Sequence, residues 1–227
     1  MEIKIIQTED GSNSLYRPDI MESYHSFHGA LQESVHVYIK SGLGYYASNY
    51  IGEIQVFELG FGTGLNALLA WQWALEHKRE VVYTTIEPYP LSEEIWSQLN
   101  YAHSFSNPIE SQKVFEQLHV CDWEKTNQIH PNFRFTKSLS KLEDFILPSN
   151  RFHVVFFDAF APRKQPELWD ETALKKVFDS MQPKGILTTY CAQGQFQRTL
   201  QSAGFEAERI AGPRGKKHMV RGIKMEK

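Results

Sequence analysis

Phe57-Glu58-Leu59-Gly60-Phe61-Gly62-Thr63-Gly64-Leu65-Asn66 is the stretch that decides the fold. Ile54-Gln55-Val56 precedes it and reads with it as a buried strand. Leu65, Leu68, Leu69 and Trp73 follow at the spacing of one helical stripe. Between strand and helix, the glycines at 60, 62 and 64 remove side chains where a ligand must lie against the backbone. A helix that starts there aims unpaired N–H groups and the positive end of its dipole at the same spot. The expectation is strand, glycine turn and helix around a ligand, with a ligand-free glycine turn as the alternative.

The spacing is acid-x-Gly-x-Gly-x-Gly, not the Gly-x-Gly-x-x-Gly of dinucleotide enzymes. An acid at Glu58 repels a pyrophosphate but suits a cationic ligand, such as the ammonium of S-adenosylmethionine. The next strand, Val81-Val82-Tyr83-Thr84-Thr85-Ile86, ends in Glu87. That is roughly 20 residues past the glycines, where an acid takes both ribose hydroxyls. Phe152-His153-Val154-Val155-Phe156-Phe157 is apolar on both faces and reads as a central parallel strand that ends in Asp158. Ligands of doubly wound sheets sit at the carboxyl ends of strands, so Glu58, Glu87 and Asp158 are expected to face one crevice. A helix-capping Asp158 is the structural alternative.

At 227 residues, with 41% hydrophobic and 13% aromatic content, the chain fits one large α/β domain with decorations. No run of 18 apolar residues and no leader-like start is present, and Cys121 and Cys191 lack metal-type spacing. A cytoplasmic, reduced protein with no metal and no membrane contact is expected. The formal net charge is −3, yet Arg209–Lys227 holds seven Lys/Arg against one acid. That tail reads equally as a solvated face or as a phosphate contact.

Residues 1–50 read as an N-terminal extension and 51–227 as the doubly wound unit. In the extension, Ile3–Gln7 and Leu15-Tyr16 flank an Asp10-Gly11 turn as a small hairpin. Met21–Gly29 is rich in aromatic and polar side chains, and a helix with Leu31, Val35 and Ile39 on one face follows. This region either packs on the sheet or forms a lid over the ligands. Ser92 opens a helix, residues 101–132 lack a clear pattern, Phe133–Thr136 is a strand and Leu142–Leu147 a short helix. Helix Pro166–Met181, strand Ile186–Tyr190, helix Gln193–Ala203 and extended segments Phe205–Ile210 and Lys217–Ile223 complete the chain. The expected fold is α/β, Rossmann-like of the class I methyltransferase type. Its sheet is doubly wound, mostly parallel and seven-stranded, with a C-terminal antiparallel hairpin.

Taken together, Glu58–Asn66, Ile86-Glu87-Pro88-Tyr89-Pro90-Leu91, Phe157-Asp158-Ala159-Phe160-Ala161-Pro162, Pro166-Glu167-Leu168-Trp169 and Gly215-Lys216-Lys217-His218-Met219 resemble the MnmC-type tRNA methyltransferase family in its stand-alone form. Thr189-Tyr190, Gly204-Phe205 and Asp19–Gly44 are similar too. The resemblance implies methylation of the aminomethyl group of wobble uridine with S-adenosyl-L-methionine as cofactor, and the tRNA anticodon stem-loop as partner. It implies cofactor contacts from Glu58, Gly60, Phe61, Gly62, Thr63, Gly64, Asn66, Glu87 and Pro88, with Asp158 beside the substrate amine.

Relatives often carry Gly-Asp on the third strand facing the adenine; here Thr136-Lys137-Ser138-Leu139 puts the Ser138 hydroxyl there, beside Leu139. On the acceptor side Tyr24, Ser26, Phe160, Pro162, Lys164, Lys216 and Lys217 are expected to meet substrate. Phe160 is expected to stack on a splayed base. Trp169 reads equally as a stacking or a core residue, and Arg163, Lys164 and the basic tail are expected on anticodon-stem phosphates. The FAD-dependent half of the fused enzymes is not in this sequence, so upstream tRNA-modifying enzymes are expected to supply the aminomethyl group.

No Pro-Cys pair suggests a cysteine nucleophile, and no Asn/Asp-Pro-Pro-Tyr/Phe suggests a planar base amine; a flexible alkylamine fits better. The competing readings are a small-molecule amine methyl- or aminopropyltransferase, and a non-catalytic S-adenosylmethionine- or RNA-binding module.

Overall fold

The computed structural model describes residues 2–226. Strands β1 (Lys4–Gln7), β2 (Asn13–Arg17) and β3 (Glu22–Ser23) form a small antiparallel sheet, the first two being the Asp-Gly hairpin in register Ile5 to Leu15. Helix α1 (Ala30–Ser34) runs without interruption through a π-helical stretch, Val35–Gly44, into α2 (Tyr45–Ala47). The wide turns shift the buried face away from the expected Leu31–Val35–Ile39 stripe. Val37, Tyr38 and Leu43 are the most deeply buried, whereas Leu31 and Val35 are only half-buried. Gly42 lets this helix lie against the sheet, because a Cβ there would sit 3.0 Å from Thr188 Oγ1 and 3.2 Å from the Phe156 ring.

The larger sheet is built from β4 (Ile54–Leu59), β5 (Val81–Ile86), β6 (Thr126–His130), β7 (Phe133–Ser138), β8 (Phe152–Phe157), β9 (Met181–Thr189), β10 (Glu206–Ala211) and β11 (His218–Ile223). Its order is β10-β11-β9-β8-β4-β5-β7-β6. The five central strands are parallel, β10 and β11 form an antiparallel hairpin at one edge, and β6 lies antiparallel at the other. The sheet therefore has eight strands rather than the expected seven. The extra strand lies in the unpatterned 101–132 region, where Thr126-Asn127-Gln128 form a polar edge without apolar alternation. The same region holds helix α5 (Pro108–Val120), started by Asn107, whose side chain accepts the Glu110 N–H, and by Pro108 in the first turn.

Helix α3 (Leu65–His77) connects β4 to β5, and the short α4 (Glu93–Trp96) follows β5. Helices α6 (Glu171–Ser180) and α7 (Gly194–Ser202) flank β9 in sequence. Three boundaries differ from expectation. Leu142–Leu147 forms turns rather than a helix, and Pro166–Leu168 is a single 3-10 turn before the Asp170 cap of α6. Strand β9 begins at Met181 and carries a bulge opposite Phe152–Val154.

Strand alternation divides the core. Val56, Tyr83, Phe135, Val154 and Phe156 face α3 and the N-terminal helix, with Leu68, Trp71, Val37 and Tyr38. Phe57, Leu59, Val155 and Phe157 face α6 and α7, with Leu174, Val177, Phe196 and Leu200. The connections reverse direction at β4, which has β5 on one side and β8 on the other. Leu59 is level with both Ile86 and Phe157, so Gly60, Glu87 and Asp158 leave the sheet at a common edge beside that reversal. Among the described residues no helix is long and apolar enough to cross a membrane.

Candidate active site

A cavity of about 1090 Å³ opens over the ends of β4, β5 and β8. It is large for one small molecule, since ligand pockets typically run to about 1,000 Å³. Its walls include Gly60–Thr63 of the glycine turn, Glu87-Pro88-Tyr89, Ser140–Glu143, Asp158–Ala161 and Tyr190. The N-terminal segment contributes Arg17, Met21–Ser26 and Glu33.

The glycine turn is held from several sides. Gly60 has φ 91°, and a Cβ on it would lie 2.9 Å from the Asp158 carbonyl, so the turn and the end of β8 pack backbone to backbone. Gly62, with φ 50°, donates its N–H to Glu87 Oε2 at 3.0 Å. Gly64, with φ 76°, does not border the cavity; its missing side chain makes room for His119, whose Nε2 would be 2.9 Å from a Cβ there. His119 donates to the Thr63 carbonyl at 3.2 Å and stacks on Trp96, and burial pushes it down to about 3, so the ring is neutral. Lys137 caps the end of α5 from beneath, donating to the carbonyls of Leu118 and His119.

Glu87 accepts the Tyr89 N–H at 2.8 Å as well as that of Gly62, while burial pushes its carboxyl up against these two bonds. Asp158 is gripped at both oxygens. Tyr38 donates its hydroxyl to Oδ1 at 2.6 Å, and Asn66 donates its amide to Oδ2 at 2.8 Å. Burial pushes Asp158 up to about 7, while the Tyr38 and Asn66 bonds hold it back.

Glu58 requires a correction. It does not line the cavity and is fully buried. It is the penultimate residue of β4, and the pleat turns it with Ile54 and Val56 to the face beneath α3. Thr85, Asn66 and Tyr83 are its polar neighbours. Burial first, and then the charge of Asp158, push its carboxyl well above the usual range, toward the protonated form.

Ser138 and Leu139 also lie off the cavity. Ser138 is buried in the sheet with its carbonyl accepting the Glu87 N–H, and Leu139 is exposed; Ser140–Glu143 form the wall instead. Gly60, Phe61, Gly62, Thr63, Asn66, Glu87 and Pro88 do border the cavity.

On the acceptor side Tyr24, Ser26, Phe160 and Lys216 line it, and Pro162, Lys164 and Lys217 do not. Tyr24 meets Phe160 edge to face at 5.1 Å. Trp169 is a core residue, packed on Phe157 and Phe196, with its Nε1–H on the Phe160 carbonyl.

Much of the basic tail is spent inside the molecule. Arg221 pairs with Glu208 and lies over the Tyr45 ring, Lys224 donates to the carbonyls of Phe178 and Met181, and Lys216 pairs with Glu33. Arg163, expected on phosphate, is bonded to Glu22. Sequence reasoning missed Tyr38, Glu33 and Tyr190 as site residues. Tyr38 sits in an apolar helix and reads as core, and only its hydroxyl, brought to Asp158 across 120 positions, reveals more.

A parallel sheet closed by an antiparallel hairpin, with its cavity over the glycine turn of β4, is the architecture of class I S-adenosyl-L-methionine-dependent methyltransferases. Residues 108–225, just over half of the chain, match the model of an S-adenosyl-L-methionine-dependent methyltransferase family, and the chain belongs to that family. A relative from Leptospira interrogans, the tRNA 5-methylaminomethyl-2-thiouridine biosynthesis bifunctional protein MnmC, is 29% identical over 209 residues, covering 88% of this chain and 32% of its own. The protein of the same name from Cupriavidus metallidurans is 28% identical over 230 residues, covering 95% and 33%. This chain thus spans about a third of the length of the curated relatives it matches. Among solved structures, MNMC2 from Aquifex aeolicus superposes with a TM-score of 0.76 at 22% identity, covering 97% of this chain and 70% of that one.

The residues present fit the cofactor. The Gly60 and Gly62 positions, both at positive φ, bring bare backbone to the wall, and Glu87 stands at the end of the neighbouring strand with a carboxylate suited to a ribose diol.

Proposed function

We propose that this protein methylates a primary alkylamine, the aminomethyl group of a tRNA wobble uridine, in the manner named for its MnmC relatives. The observation that carries this reading is Asp158: a carboxylate at the cavity wall, fixed at both oxygens and adjoining the glycine turn. When bound, S-adenosyl-L-methionine supplies a methyl group on a sulfonium. The work of this chain is to hold a nitrogen lone pair near it and to take up a proton.

A simple alkylamine has a pKa on the order of 10, so deprotonation near pH 7 costs roughly 4 kcal/mol. An acceptor at about 7 is well matched to receive that proton while remaining largely ionised just above neutrality. Tyr38 and Asn66 fix the direction of the Asp158 lone pairs, so the carboxylate takes one proton from the bound ammonium. The neutral amine then displaces the methyl to give a cationic secondary amine that sheds its extra proton on release. Tyr24 and Phe160, in contact at the cavity wall, offer ring faces to an unstacked base. Because much of the basic tail is paired internally, the anticodon stem-loop is met chiefly around the cavity mouth.

The experiment is methyl transfer from radiolabelled S-adenosyl-L-methionine to tRNA carrying the aminomethyl group, with polyamines as competing acceptors. Label in the tRNA, lost on Asp158→Ala with cofactor binding retained, is the expected result. Label in polyamines alone, or in neither acceptor, refutes the reading.

A further inference from the structure

Lys216 is assigned by its sequence context to RNA phosphates, yet its ammonium points into the molecule. Nζ lies 3.2 Å from Glu33 Oε2, 3.5 Å from the Tyr190 carbonyl and 4.4 Å from the centre of the Tyr190 ring. Glu33 is itself fixed, being 8% exposed, with Oε1 accepting the Ser26 N–H at 2.9 Å. The Tyr190 hydroxyl donates at 2.8 Å to the carbonyl of Ala159, the residue after Asp158. The turn that presents Lys216 is tight: its N–H donates to the Pro213 carbonyl at 2.9 Å, and Gly215 sits at φ 86°, where a side chain is strained, with the His28 ring packed against it. The ammonium therefore has a defined place on the wall of the cavity that also holds Asp158.

We propose that Lys216, anchored by Glu33 and the Tyr190 ring, is a positioning residue that sets how many protons Asp158 and the acceptor amine hold between them. This rests on the amine-methylation reading above. The titratable and polar groups around Asp158 are Glu33 from α1, Tyr38 from the π-helical stretch, Glu58 from β4 and Asn66 from α3. Tyr83 from β5, Tyr190 after β9 and Lys216 from the turn before β11 complete the set. Among these groups the sole cation is Lys216.

A carboxylate and an amine in contact titrate as a pair. Transfer requires the pair to hold few enough protons that the nitrogen can expose its lone pair once Asp158 has accepted one. An additional proton on the pair blocks the reaction, and a nearby fixed cation disfavours it. Lys216 thus extends activity toward lower pH, and Glu33 opposes it with the contrary sign.

Two measurements test this on the intact protein. The first is the pH dependence of kcat/KM with the aminomethyl tRNA; the second is the Asp158 carboxyl titration, followed by 13C NMR on the cofactor-free protein. Lys216→Met is expected to move the acid limb and the Asp158 midpoint upward by up to about one pH unit, a smaller step than Glu33→Gln makes the other way. Glu33→Gln is expected to move both downward, and Lys216→Arg to hold both near wild type. A Lys216→Met variant that loses rate with both midpoints unmoved makes Lys216 merely structural and overturns the proposal. The NMR arm is independent of substrate, so a wild-type protein that methylates no amine refutes the functional reading without being mistaken for a failure of Lys216.

Discussion

Asp158→Asn separates what the carboxylate does for chemistry from what it does to stability. The carboxyl titrates at about 7 in the folded protein, against a usual value of 3.8. A carboxyl raised on folding contributes stability that is intact below its unfolded pKa and is lost as pH rises through the folded one. From pH 5 to pH 8 the loss amounts to roughly 2.7 kcal/mol if burial is complete. Partial contact with the open cavity brings the expected figure down to about 1–2 kcal/mol.

Asparagine keeps the shape and removes this dependence. Its Oδ1 still accepts from Tyr38. Asn66, whose Oδ1 has no partner in the wild type, turns its amide so that this oxygen accepts from the new NH₂. The assay is urea unfolding of both proteins at pH 5 and pH 8. The variant's stability relative to wild type should rise by about 1–2 kcal/mol between the two, while turnover is lost. A difference that does not change with pH refutes the claim that Asp158 is held in a raised state.

Glu58→Gln is expected to leave cofactor affinity, measured by calorimetry, unchanged, because the residue is fully buried off the cavity wall and burial pushes its carboxyl toward the uncharged form; a tenfold weaker affinity would show instead that its charge reaches the ligand. Gly60→Ala should lower stability by more than Gly11→Ala in thermal unfolding. Both sites have positive φ, with strain of about 1–2 kcal/mol each, but only Gly60 also drives a Cβ onto the Asp158 carbonyl. Equal losses would mean that the packing between the glycine turn and β8 yields freely.

The features visible in the sequence are those fixed by local pattern. Strand β4, its glycine turn and α3 were legible because burial on both faces, bare backbone and a helical stripe succeed one another within twenty residues. Glu87 and Asp158 were legible because each is the first residue beyond its strand, where the chain leaves the pleat toward the cavity. Glu58 looked equivalent and is not, since it still lies within β4 and the pleat decides its direction. The 101–132 region hid α5 because only Ser111, Val114, Phe115 and Leu118 are buried, while the apolar Ile109 and Val120 at its ends are exposed and blur the stripe. The partners of the basic tail were not legible because charge in a sequence does not reveal what it pairs with. Glu33 and Glu208, which neutralise Lys216 and Arg221, lie 183 and 13 positions away.

The contact between Glu33 and Lys216 joins segments from near opposite ends of the sequence, and Tyr38 reaches Asp158 from upstream of the glycine turn. A nascent polypeptide emerging from the ribosome therefore contains no finished pocket until the turn before β11 has been synthesised and folded back. Translation products that stop short of this turn lack the Lys216 side of the cavity wall and leave Glu33 without its partner.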